Sequence, residues 1–248
     1  MNYGIIKESL IPVRKKNTSK SEMINQLLFG ETFKIIEKIK KWSLISSYLD
    51  NYIGWIENNN INKISEEEFR VINRKVFFSS KELKLTNPEN NYSQIIPIGS
   101  QLSSCSYLNY TIPNEDNLVN KINPIDFINT PYLWGGKSKY GIDCSGFTQL
   151  VLRSNNIFIP RDAKDQAKFG KVVNYKSLKS GDLCFFGDSV DKITHVGIFI
   201  GNKKIIHAFE KVRIDKLDEK GIVNSNSLKI THKLKSIRRM NYPSNSFI

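Results

Sequence analysis

Residues that often announce a function are scarce in this chain. Its 248 residues include only three histidines and three cysteines. An odd set of thiols, Cys105, Cys144 and Cys184, argues against a disulfide framework and fits a reducing compartment. No CxxC or HxxxH spacing occurs, which argues against zinc, and no other cofactor signature is present. No run approaches the ~18 apolar residues of a membrane-spanning helix. The opening MNYGIIKESLIPVRKK carries Glu8 where a signal peptide has its apolar core, so a cytoplasmic location is expected. With 14 glycines and 8 prolines the chain is not collagen-like, and 40% hydrophobic with 25% charged residues excludes wholesale disorder.

Acidic residues are the minority charge. Lys and Arg number 37 against 24 Asp and Glu, a net charge of +13. Such a chain can bind nucleic acid or anionic envelope polymers. Here the lysines are scattered. KIKK at Lys38 and IRR at Ile237 are short, and stretches such as NNNINK point to a coding bias. No nucleic-acid partner is expected.

Three segments follow from the pattern. Residues 1–62 read as short strands (SLIPVRK, ETFKIIEKI, WSLISSYL, YIGWI) punctuated by turns, which predicts a small barrel. Between them NTSKSEMINQLLFGE reads as a loop with one helical turn. Residues 63–115 begin with ISEEEFRVINRK, a linker or short helix. KVFFSS, SQIIPIGSQL and CSYLNYTI then predict a second, degenerate β-unit. Residues 116–248 change character: NLVNKINPIDFIN and SGFTQLVLRSNN have helical spacing, and LCFFG, ITHVGIFIG, KIIHAF and HKLKSIRRM alternate as strands. Helices followed by an antiparallel sheet make an α+β domain.

The chemistry sits in this last segment. Cys144 follows the Gly-rich stretch WGGKSKYGI and opens a helix, whose free amides and dipole are expected to lower the thiol pKa. His195 and His207 flank the turn at Gly201–Asn202–Lys203, which is expected to place them almost opposite each other on a hairpin. A cysteine, a histidine and an orienting partner constitute an activated nucleophile. Cys184, among apolar neighbours, reads as core packing, Cys105 has no assigned role, and His232 reads as surface or structural.

TPYLWGG, GIDCSGFTQLV, IPRD, GDLCFFG, ITHVGIFIG and IIHAF, in that order, resemble the NlpC-type cell-wall cysteine peptidases. The resemblance covers residues from about 117 to 248. It implies a papain-like catalytic domain, and SEMINQLLFGE and DNYIGWI resemble the SH3-like domains that precede it in one subgroup. The implied fold is therefore α+β, with one or two small SH3-like β-barrels ahead of the papain-like domain. That subgroup, the γ-D-glutamyl-L-diamino acid endopeptidases, cleaves the γ-D-Glu–diamino acid bond of murein stem peptides with a free N-terminal L-Ala. The resemblance implies Cys144 as nucleophile, His195 as general base and acid, and His207 as the orienting residue. It implies Asp143 and Ser145 around the D-Glu moiety, Tyr132 reaching toward the thiolate or oxyanion, Trp134 on the pocket wall, and Arg161 and Asp162 near the substrate groove. Glu22 and Tyr52 are the implied anchors of the free amine. Two departures stand out: Ala163 where many relatives carry Ser, and Phe209–Glu210 where they carry small residues. An exported hydrolase of intact wall and a non-catalytic wall-binding protein are the alternatives.

Overall fold

The computed structural model describes residues 2–112, 121–225 and 227–242. Two compact units emerge, Met1–Ile122 with Trp134–Lys139, and Asn123–Leu133 with Tyr140–Ile248. Among the described residues no helix is long and apolar enough to cross a membrane.

In the N-terminal unit seven strands form one antiparallel sheet: β1 (Tyr3–Ile5), β2 (Leu10–Arg14), β3 (Met23–Leu28), β4 (Thr32–Ile39), β5 (Trp42–Ser47), β6 (Ile53–Glu57) and β7 (Asn62–Ile64), in the order β3-β2-β6-β5-β4-β1-β7. Strand β5 shows the reason most plainly. In WSLISS every second residue is buried, the period that lets one face of a pleated strand enter a core. Ile11, Val13, Leu27, Phe33, Ile45 and Ile56 fill that core. This is the small SH3-like barrel expected from the pattern.

One local expectation fails. The stretch MINQLL is strand β3, not a helical turn, and pairs along β2 from Leu10↔Leu28 to Arg14↔Met23. Leu and Gln favour helices by only a few tenths of a kcal/mol over their competitors. Pairing with β2 buries Leu27 and Leu28 completely, and each such burial contributes about 1.5–3 kcal/mol.

The expected second β-unit over 63–115 also takes another form. Its described part holds helix α1 (Glu66–Arg74), the two-stranded hairpin β8 (Leu83–Thr86) and β9 (Ser93–Ile96), and 3-10 turns at Leu102–Ser104 and Ser106–Leu108. Helix α1 begins with a capping box: the Glu68 N–H donates to Ser65 Oγ at 3.1 Å, and the Ser65 N–H donates to Glu68 Oε2 at 2.6 Å. CSYLNYTI, read as a strand, holds the 3-10 turn Ser106–Leu108 and the single bridge Thr86↔Thr111, and KVFFSS contributes only the bridge Phe78↔Gln101. Ile72, Leu83, Leu85, Ile96 and Leu102 pack in one cluster with Ile5 and Phe29 of the barrel. The segment thus builds a second core onto these two residues, apart from the barrel's own core, and needs no barrel of its own.

The C-terminal unit holds helix α2 (Cys144–Arg153), the short α3 (Ala163–Gln166) and seven strands: β10 (Lys171–Val172), β11 (Leu183–Ser189), β12 (Lys192–Phe199), β13 (Lys204–Phe209), β14 (Lys211–Asp218), β15 (Gly221–Val223) and β16 (Ile230–Arg239). The sheet order is β10-β16-β11-β12-β13-β14-β15, and β15 pairs with β16 as well, so six strands close on themselves. Every residue of α2 is buried. Two of its buried side chains find partners: Thr148 Oγ1 donates to Gln166 Oε1 at 2.8 Å, and Gln149 Nε2 donates to the Ile159 carbonyl at 2.9 Å. Such pairing removes the cost of burying them. NLVNKINPIDFIN starts outside the described residues. Its later part is a 3-10 turn, Pro124–Phe127, with Asn123 accepting the Ile125 N–H at 3.1 Å.

Candidate active site

The nucleophile candidate is held by its neighbours. Cys144 is the first residue of α2, and Asp143 caps that helix, its Oδ1 accepting the Gly146 N–H at 2.7 Å. Arg161 binds the same carboxylate with two nitrogens, at 2.9 Å to Oδ1 and 2.6 Å to Oδ2, and also donates to Ser145 Oγ at 2.8 Å. Gln166 Nε2 donates to the Ser145 carbonyl at 3.0 Å. Asp143, Ser145 and Arg161 are thus tied to one another around the start of the helix. Arg161 is 2% exposed and is held by the two residues that flank the thiol-bearing Cys144. Asp162 is half-buried, and its carbonyl accepts the N–H groups of Asp165 and Gln166 to start α3. Ala163 is buried.

The sulfur of Cys144 accepts backbone N–H groups of Val196 and Ser145. Val196 follows His195 on β12. The thiol nevertheless sits far from the thiolate expected at a helix start. Burial pushes its pKa up to about 12, the Asp143 carboxylate adds to the rise, and the N–H groups and Arg161 only partly oppose it. His195 is held well below the ordinary imidazole value, first by burial and then by His207 and His232. Both shifts favour the uncharged forms, thiol and neutral imidazole. Tyr132 is half-buried, and burial together with the Cys144 and Asp143 charges raises its phenol pKa.

The two histidines meet by a different register from the one expected. His207 lies opposite Gly197, not opposite His195. His195 reaches across the diagonal, and its Nε2 lies 2.8 Å from His207 Nδ1. Gly197 makes this possible. A Cβ there would come within 2.9 Å of His207 Cβ and 2.8 Å of Ile205 Cδ1, closer than real side chains pack.

Four participants escaped the sequence reading. Gly197 is one. Asp215 lies 3.1 Å from His207 Nε2 through Oδ2, and Arg213 pairs with it, Nε standing 2.7 Å from Oδ2. The alternation Arg213-x-Asp215 in KVRIDKLD, one short turn after His207, is the signal that could have found both. His232, read as lacking a partner, has its ring stacked on His195 with centroids 4.3 Å apart. Nothing local predicts this, because β16 and β12 are separated in the sheet by β11. Phe209 approaches His232 edge-on at 4.7 Å, and Glu210 pairs with Arg213 at 3.5 Å. Cys184 is completely buried, in keeping with core packing, and Cys105 is buried as well.

Glu22 and Trp134 belong to the N-terminal unit. The Trp134 indole N–H donates to Glu22 Oε1 at 2.9 Å, and Lys15 Nζ donates to Oε2 at 3.2 Å. The Lys15 and Trp134 hydrogen bonds lower the pKa of the exposed Glu22 carboxyl. Tyr52 precedes β6, with its N–H on Asp50 Oδ1 at 3.1 Å. In the same unit Lys137, fully buried, pairs with Glu31 at 3.4 Å, and its N–H donates to Gln26 Oε1 at 2.7 Å. Gly135 has φ +78°, and a Cβ there would strike the Met23 carbonyl at 2.7 Å, so the WGGKS segment needs glycine to lie along β3. Among the described residues no three His, Cys, Asp or Glu side chains are grouped to hold a metal ion.

Comparison with known proteins agrees with this geometry. Residues 129–229 match the NlpC/P60 family, and residues 13–61 match the bacterial dipeptidyl-peptidase Sh3 domain. A probable endopeptidase NlpC homolog from Haemophilus influenzae is 32% identical over 154 residues, spanning 61% of this chain and 81% of that protein. The chain belongs to the NlpC/P60 family. A γ-D-glutamyl-L-lysine dipeptidyl-peptidase from Bacillus subtilis is 49% identical over 84 residues, which is 33% of this chain and 28% of that protein. That match spans under a third of the relative's own length. A crystal structure of an NlpC/P60 family protein from Bacillus cereus superimposes with a TM-score of 0.75 at 20% identity, covering 96% of this chain and 99% of that chain. It supports the fold of both units, the SH3-like barrel and the papain-like domain of this family.

Proposed function

We propose that this protein is a cysteine peptidase that hydrolyses the γ-D-Glu–diamino acid bond of murein stem peptides carrying a free N-terminal L-Ala, as a cytoplasmic recycling enzyme. The observation that carries the reading is a thiol at a helix start that takes the N–H of Val196, the residue after His195, whose ring Nε2 is held by His207 at 2.8 Å. The matched relative from Bacillus subtilis is named for a γ-D-glutamyl-L-lysine dipeptide bond, which supports the choice of substrate.

The chemistry is acyl transfer. His195 takes the proton of the Cys144 thiol as the sulfur attacks the γ-carbonyl. The Cys144 backbone N–H, at a helix start where no intrahelical partner exists, faces the developing oxyanion. His195 then protonates the leaving amine, and the C–N bond breaks to leave a thioester. Water, deprotonated by His195, releases the acyl group and restores the thiol. Because the His195 pKa is depressed, the base stays available well below the ordinary imidazole pKa. Turnover is therefore expected to persist into mildly acidic buffer. In this reading Glu22 and Tyr52 account for the preference for a free amine, and Tyr132, Trp134 and Asp162 contact the peptide.

The test gives the protein and its Cys144→Ala variant L-Ala-γ-D-Glu-meso-diaminopimelate, the lysine analogue, the N-acetylated tripeptide and intact sacculi. Release of the free diamino acid from unblocked tripeptides, lost in the variant, is the expected result. Solubilised sacculi would replace the recycling role by wall hydrolysis. Equal cleavage of blocked and free peptides, unchanged by Glu22→Ala, would remove the amine anchor from the scheme.

A further inference from the structure

The hydrogen-bond donors around Asp215 dictate where the protons of the histidine pair reside. Its Oδ1 accepts the Ser225 N–H at 2.8 Å and an Arg213 guanidinium N–H at 3.1 Å, while Oδ2 faces His207 Nε2 at 3.1 Å and has Arg213 Nε at 2.7 Å as an ion-pair contact outside hydrogen-bond geometry. A carboxylate only accepts. His207 Nε2 must therefore carry a hydrogen. In a neutral ring that leaves Nδ1 bare, and His207 Nδ1 is the atom 2.8 Å from His195 Nε2. His195 Nε2 must then be the donor, and its own Nδ1 carries the free lone pair. We infer that Asp215, clamped by Arg213 and Ser225, is a positioning residue that fixes both tautomers, so that His195 presents an unprotonated Nδ1 for the Cys144 proton.

The alternative is a protonated His207, which would donate from both nitrogens and force the His195 hydrogen onto Nδ1, blocking the base. The site opposes that form. His207 is buried, and its pKa is lowered first by that burial, against the pull of Asp215 and with the help of Arg213. Burial works to raise the Asp215 pKa, but the hydrogen bonds from His207, Ser225 and Arg213 hold it below the usual carboxylate range. Arg213 thus keeps Asp215 ionised while matching its charge, so Asp215 accepts a hydrogen bond from His207 without drawing a second proton onto it. The titratable groups that act on His195 are His207, backed by Asp215 and Arg213 on β14, and His232 on β16, while Cys144, with Asp143 and Tyr132 near it, takes the N–H of the next residue, Val196. Asp215→Asn is nearly isosteric. Its oxygen would stay with Ser225 and Arg213, and its amide would donate to His207 Nε2, reversing both tautomers down the chain.

The inference rests on the Cys144–His195 chemistry proposed above, and the experiment separates the two. Imidazole nitrogen NMR on the intact protein reads the tautomers directly, with Nε2–H on both His195 and His207 expected. Alkylation of Cys144 by iodoacetamide, followed by peptide mapping across pH, reads the base without any peptide substrate. Asp215→Asn is expected to slow alkylation and peptide turnover about 10²–10⁴-fold near neutral pH, the range seen when an orienting carboxylate is lost. Asp215→Glu should recover part of both. Nδ1–H on either wild-type ring overturns the inference, whether or not the variant folds. So does unchanged alkylation in Asp215→Asn when His195→Ala is slow. If His195→Ala also alkylates at the wild-type rate, the Cys144–His195 reading itself falls.

Discussion

Glu31–Lys137 in the N-terminal unit and Asp143–Arg161 in the C-terminal unit are both buried ion pairs, yet they are held differently. The first brings Lys137 Nζ to 3.4 Å from Glu31 Oε1. The second is two-pronged at 2.6 and 2.9 Å, and the same groups reach Gly146 N–H and Ser145 Oγ. A buried pair contributes little net stability unless its geometry is good and its remaining sites are filled. The contrast teaches that burial alone does not say what a pair is for. The first ties down the WGGKS segment. The second orients the helix start that carries the thiol.

The largest effect is expected where the pair is broken on one side. Arg161→Ala leaves Asp143 buried without its guanidinium and should cost about 3–5 kcal/mol, with turnover lost; a denaturant melt and the tripeptide assay read both, and a stable, active variant would remove the distinction. Replacing a whole pair sharpens it. Glu31→Leu with Lys137→Met should leave stability unchanged or raise it by about 1–4 kcal/mol, whereas Asp143→Leu with Arg161→Met should abolish turnover even if the fold survives, because the Gly146 cap goes with it.

The smallest effect comes from acid. All three histidines belong to the C-terminal unit, and burial lowers the His232 pKa to about 4 while depressing His195 and His207 too. Between pH 6.5 and 4 the unfolded chain takes up a proton at position 232 that the folded chain refuses. The stability is thus complete above the ordinary imidazole pKa and falls as pH drops toward 4. Melting at pH 7.5 and 5 should show that drop, reduced in His232→Gln; equal drops in both proteins would mean that His232 does not titrate as its burial requires.

Much of this was legible in the chain. Period-two alternation marked β2, β4, β5 and β6, helical spacing marked α2, and the order of motifs placed Cys144, His195 and His207 in one domain. Short-range patterns failed where long-range burial outvoted them. MINQLL became β3 because β2 and the barrel core buried Leu27 and Leu28. The β-like stretches after residue 75 settled mostly into turns because the barrel's Ile5 and Phe29 completed their core.

The sequence by itself determined the chemistry available: a thiol at a helix start, two histidines on a hairpin, and a family's order of motifs. These are local facts, written in residue type and spacing. Only the tertiary structure decided the protonation state, the partners and the register. A pKa depends on burial and on charges brought from distant strands, which is why a thiol expected to be lowered is raised to about 12. Likewise Asp215, Arg213 and His232 became neighbours of the histidine pair only when β14 and β16 took their places in the closed sheet.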